Sequence, residues 1–153
     1  MADAAEAKLK SLGIELPPVP APAANYVPSV RTGSLLFISG QVSIGPAGKF
    51  TGKLGADVDI ETGQKAARAC AISLLANMKA ALGSLDKVAR VVKLTGFVNA
   101  TLEFSEPHKV INGCSDLITD VLGDRGKHAR SAISVASLPL NAAVEVEAIV
   151  EIA

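Results

Sequence analysis

An α+β fold, one mixed sheet with two helices on a single face, is what the order of apolar runs in this chain predicts. Three observations carry that prediction. The run "SLLFISGQVSI" is apolar and β-branched and then breaks at Gly40. Two later segments carry apolar residues at helical spacing, with a strand-like run between them. The chain then closes on two near-continuous apolar stretches, at roughly 129–137 and 143–152.

Taken in order, "MADAAEAKLKSLGI" reads as a short amphipathic helix. "ELPPVPAPAAN" cannot continue it, because its four prolines remove backbone donors and push their predecessors into extended conformations. Residues 1–24 are therefore expected to form an arm on the surface of a single domain spanning 25–153. After the first apolar strand, "GPAGKFTGKLG" has the turn residues of a hairpin region. Asp57 and Asp59 are candidate N-caps for "IETGQKAARACAISLLANMKAAL", in which Ala67, Ala71, Leu74, Met78 and Leu82 form one stripe and Gly83 is placed to end the helix. "KVARVVKLTGFV" is a strand. "SEPHKVINGCSDLITDVLG" is a second helix, with Val110, Ile111, Leu117, Ile118 and Val121 on its apolar face and Gly123 at its end. The resulting order is β-β-(β)-α-β-α-β-β. With both helices on one side, the other sheet face keeps its Val, Ile and Ala residues uncovered, which implies that copies of the chain associate.

The chain has 153 residues, enough for one domain with a sizeable core. Only five residues are aromatic, so that core must be built from Ala, Val, Leu and Ile. Formal net charge is zero, which supplies no field for nucleic acid or an anionic membrane. Cys70 and Cys114 fit no metal-ligand spacing and read as reduced core residues. The N-terminus lacks the apolar core of a signal peptide, and no segment reaches the ~20 apolar residues of a spanning helix. A soluble cytoplasmic protein without metal or organic cofactor is the expectation.

Against this apolar background Arg130 stands out, at the mouth of the two closing strands. A guanidinium is costly to bury unless an anion meets it. If the closing strands form a hairpin around Pro139 and Leu140, Arg130 and Glu145 share a sheet face and lie roughly 13 Å apart along the strand. That gap suits a small molecule. Pattern alone leaves the plainer readings open: Glu145, Glu147 and Glu151 as a solvated strand face, Arg130 as a surface ion-pair residue, and His128 as a loop residue at the rim.

Four stretches in order, "NYVPSVRTGSLLFISGQ", "KVARVVKLTGFVNATLEF", "HKVIN" and "ARSAISVASLPLNAAVEVEAIVEI", resemble the RidA/YjgF family of imine/enamine deaminases, once labelled L-PSP endoribonucleases. The resemblance runs from about Ala24 to the C-terminus. It implies a chorismate-mutase-like fold, a six-stranded mixed sheet with two helices on one face, assembled as a homotrimer around a central barrel. It implies that Arg130 binds a substrate carboxylate, that Glu145 positions or deprotonates water, and that Tyr26 closes the pocket. Asn112, Ser39 and Gly40 fall on positions that line the family's cleft. Many members carry a cysteine two residues after the arginine, where this chain has Ala132.

The implied activity is hydrolysis of 2-imino or 2-enamino acids to 2-keto acids and ammonia, at clefts between subunits. The alternatives are a module that binds small carboxylates without turnover, and an endoribonuclease. A neutral chain with few aromatics offers neither the basic groove nor the stacking platform that the last would use.

Overall fold

The computed structural model describes residues 3–153. The main sheet has five strands in the order β1-β2-β7-β5-β6, namely β1 (Ser29–Thr32), β2 (Leu35–Val42), β7 (Val144–Ile152), β5 (Val88–Asn99) and β6 (Ala129–Val135). A separate two-stranded hairpin, β3 (Ile44–Gly45) with β4 (Gly48–Lys49), accounts for the turn-rich region. The expected six-stranded sheet is thus five strands plus two. Gly- and Pro-rich residues 45–55 turn too soon to reach the main sheet.

Both predicted helices form. The first, α2 (Ile60–Leu82), starts where Asp59 accepts the Thr62 amide at 2.8 Å and ends at Gly83 in the left-handed region, φ 82°. Asp57 does other work, accepting the Lys53 amide at 2.7 Å. The second, α3 (Pro107–Leu122), opens on Pro107, whose missing N–H costs nothing in the first turn. Every predicted stripe residue of both helices is buried.

The sheet face beneath the helices is built by alternation: Leu36 and Ile38 of β2, Val146, Ala148 and Val150 of β7, and Leu94 and Val98 of β5 are all buried. The helices themselves meet closely. A Cβ on Gly113 of α3 would lie 2.1 Å from the backbone oxygen of Gln64 in α2, so only glycine allows this approach.

A third helix, α1 (Ala4–Ser11), precedes these two. Asp3 caps it by accepting the Ala5 and Glu6 amides, and accepts the Ser84 hydroxyl at 2.6 Å. Ala5 and Leu9 of α1 are buried in the same core as α2 and α3. Met1 and Ala2, included in the predicted helix, lie outside the described residues.

The predicted hairpin of the two closing strands does not form. Instead β6 pairs in parallel with β5, and β7 lies antiparallel between β5 and β2. The cause is α3: a strand, a crossover helix and a second strand form a unit that favours parallel neighbours. β6 therefore takes the outer edge beside β5, and β7 must fill the remaining place on the other side.

Replacing Gly113 with Ala is expected to lower stability by about 3 kcal/mol, because backbone rather than a flexible side chain must yield. A fall of roughly 6–12 °C in Tm on thermal melting would measure it.

Candidate functional site

Strand pairing decides which predicted residues can meet. Across the sheet, Ile38, Ala148, Leu94 and Arg130 form one row, and Val42, Glu145, Phe97 and Ile133 form another. Leu94 and Phe97 are three residues apart on β5, so the two rows project to opposite faces. Ala148 and Leu94 are buried under the helices, which puts Arg130 on the helix face at the sheet edge. Glu145 lies on the other face. The expectation that Arg130 and Glu145 share a face is therefore wrong, and its cause is the missing hairpin.

Arg130 reaches over α3. Its Nη1 donates to Asn112 Oδ1 at 2.9 Å and to Ser115 Oγ at 3.2 Å, and its Nη2 to the His108 carbonyl at 3.3 Å. These partners are neutral, and among the described residues Arg130 forms no ion pair. The arginine is held in place with its charge unmet. Ala132, two residues on, sits on the same face and packs against the core.

His128 supports this arrangement. Its Nδ1 lies 2.6 Å from the Gly126 carbonyl, which can only accept, so Nδ1 carries a proton. In the neutral ring Nε2 then accepts the Ser115 hydroxyl at 2.9 Å, leaving Ser115 lone pairs for Arg130. Ser115 was not singled out in the sequence. The signal was there, since it stands three residues after Asn112 and so on the same face of a helix.

Glu145 forms a second cluster, around the irregularity in β2 between Ile38 and Gln41. A Cβ on Gly40 would lie 2.7 Å from Glu145 Oε1, so glycine here makes room for the carboxylate. Burial, then the nearby Glu147 carboxylate, push the pKa of Glu145 above the ordinary glutamate range. Tyr26, Ser39 and Gly40 line one cavity of about 430 Å³ beside it, bounded by the proline-rich segment 17–23. Ser39 donates its hydroxyl to the Val27 carbonyl at 2.7 Å, tying β2 to the segment that carries Tyr26. Tyr26 itself is 58% exposed.

The predicted residues thus fall into two groups: Arg130, Asn112 and Ala132 at the β6 edge, and Tyr26, Ser39, Gly40 and Glu145 around β2. A family model described as "YjgF/chorismate_mutase-like, putative endoribonuclease" matches residues 6–152. The chain belongs to the YjgF/RidA family. Its fold is the chorismate-mutase-like α+β fold of that family. Among solved structures it is similar to Atu1372 of Agrobacterium tumefaciens, a protein of unknown function, at 52% identity and a TM-score of 0.90, covering 98% of this chain and 94% of that one. RidA from Psychrobacter sp. PAMC 21119 is 27% identical with a TM-score of 0.61, over 88% and 94% of the two chains. E. coli TdcF with bound serine is 28% identical with a TM-score of 0.62, again over 88% and 94%.

Neither cysteine offers this YjgF/RidA chain a reactive thiol. Both are buried, and burial pushes the Cys70 thiol well up and the Cys114 thiol to about 12, with Arg130 pulling the latter back. Among the described residues no cluster of His, Cys, Asp and Glu could hold a metal ion, and no helix is long and apolar enough to cross a membrane.

The raised pKa of Glu145 has a consequence for stability. The folded chain holds that proton more tightly than the unfolded chain, so stability falls as pH rises from the ordinary glutamate range through the raised value. Glu145→Gln removes the penalty. The variant is expected to be more stable than the parent at neutral pH, with the gain disappearing below about pH 4. Urea melts of both proteins between pH 3.5 and about 8 check this; a gain of equal size at every pH would contradict it.

Proposed function

We propose that this protein hydrolyses 2-imino or 2-enamino acids to 2-keto acids and ammonia, at clefts formed between copies of the chain in a homotrimer. One observation carries the reading: a positioned but unpaired arginine and a half-buried carboxylate of raised pKa occupy opposite faces of one sheet. Each chain then holds two halves of a site, and a neighbouring copy supplies the complement to each. The uncovered sheet face supports association, since Val30, Phe37 and Ile133 lie exposed on it. The serine bound to E. coli TdcF supports the ligand class, because it carries the same carboxylate beside nitrogen.

In this reading Arg130 grips the substrate carboxylate with its planar fork, and Asn112 and Ser115 keep that fork from swinging away. Glu145 of the facing copy accepts a proton from water as the water oxygen bonds to the imine carbon. The proton passes to nitrogen and gives a carbinolamine; its hydroxyl proton then passes to the amine nitrogen as the carbon–oxygen double bond forms, the carbon–nitrogen bond breaks, and ammonia leaves with the keto acid behind. Burial of Glu145 suits it to this task, because a base with a raised pKa takes the proton more readily. A thiol has no part in these steps, so Ala132 is compatible with them.

Arg130→Ala is expected to lower kcat/KM for 2-iminopropionate by about a hundredfold or more, and Arg130→Lys to restore only part of it, since an ammonium cannot make the bidentate contact. Ammonia release by the purified variants measures this. Light scattering should give about three times the 15.6 kDa of one chain. Binding of 2-ketobutyrate without any imine turnover would favour a carboxylate-binding module instead.

A further inference from the structure

The sheet face away from the helices carries charges that the proposed chemistry does not use. On β5, Val91 and Leu94 are buried under the helices, which turns Arg90, Lys93 and Thr95 outward. On β7, the buried Val146, Ala148 and Val150 turn Glu145, Glu147 and Glu151 outward. Register sets which of these charges can meet. Arg90 stands opposite Glu151, and the two close an ion pair at 2.8 Å. Lys93 stands opposite Ile149 and Glu147 opposite Thr95, so these two charges are only diagonal neighbours. Among the described residues neither of them forms an ion pair.

Both border one hollow of about 410 Å³, with Val30, Phe37 and Ile149 as its apolar wall. Val30 is 54% and Phe37 41% exposed, so this wall has no partner within one chain. Lys93 is half-buried there, and a partly desolvated ammonium without a carboxylate is unfavourable. Glu147 is exposed. One cation and one anion on a single apolar face make that face complementary to itself under cyclic symmetry. Ser39 borders this hollow and also the cavity beside Tyr26, so whatever covers the one lies against the other.

We propose that a second copy of this chain covers the hollow, with Lys93 of each copy paired to Glu147 of the next around the ring. The proposal rests on the homotrimer of the imine-hydrolysis reading and adds the contacts that hold its copies in register. Apolar contact at Val30 and Phe37 favours association but leaves the orientation of the copies open. A charge pair closes that freedom, because it rejects arrangements that set like charges together. Orientation matters for the chemistry, since the hollow meets the Tyr26 cavity at Ser39 and a misplaced neighbour would bring no Arg130 to Glu145.

The test compares the full-length protein with charge reversals, read by light scattering and sedimentation over a range of protein concentration. Lys93→Glu and Glu147→Lys each set like charges together at every contact. Each should raise the concentration at which half the chains are assembled by about tenfold or more. The double variant restores opposite charges and should bring that concentration back to within about threefold of the parent. Its recovery also shows that neither reversal acts by unfolding the chain. Glu147→Gln, at an exposed position, should keep the parent Tm of the dissociated chain and weaken assembly severalfold. Hydrolysis of 2-iminopropionate should fall and recover in step with assembly. Single reversals that leave assembly unchanged overturn the proposal, whatever else occupies the hollow. So does a double variant that recovers in Tm but stays dissociated, which places the pair within one chain. A wild-type chain that never associates overturns the homotrimer and the ion pairs together. A wild-type trimer that obeys the reversals but hydrolyses no imine overturns the parent reading alone.

Discussion

The parallel register that sets Arg130 beside Leu94 is the constraint on which the rest of the site depends. It places the guanidinium on the helix face at an open sheet edge, where α3 can hold it with Asn112, Ser115 and the His108 carbonyl. It also places Glu145, three rows along the central strands, on the other face. A one-residue slip in β6 would send the arginine to the outer face and leave Asn112 and Ser115 without their partner.

Electrostatics then divides the labour. Arg130 keeps an unmet positive charge because its partners are neutral dipoles, which on the proposed reading leaves it free for a substrate carboxylate. Glu145 carries the opposite arrangement, a carboxylate crowded by burial and by Glu147 and therefore ready to take a proton. Glu145 is held there at some cost to the fold that carries it. On the proposed reaction, stability and function pull in different directions at Glu145, where the carboxylate that would take the proton is not the side chain that best serves the folded state.

Much of the fold was legible because local rules govern it. The bounds of α2 follow from Asp59 and Gly83, which act through their own backbone neighbours. The buried stripes of α2 and α3 follow from the helical period, which needs no knowledge of the partner. Pairing of the last two strands was misread because the short connection between them suits a hairpin, while the competing βαβ unit is a longer-range preference. Ser115 went unnoticed for a related reason: a serine on a helix means little until an arginine from another strand arrives beside it.

By itself, then, the sequence determined the element types, the helix ends, the apolar faces and the family motifs that mark Arg130, Glu145, Tyr26, Ser39, Gly40 and Asn112. Those properties depend on neighbours within a few turns or on a motif read in order. Tertiary structure alone decided that Arg130 and Glu145 face apart, that His128 and Ser115 hold the clamp, and that the proline-rich arm bounds the cavity beside Tyr26. Each of these rests on strand order or on contacts between segments far apart in the chain, and pairing energies between such segments are set by the whole assembled sheet rather than by any one stretch of residues.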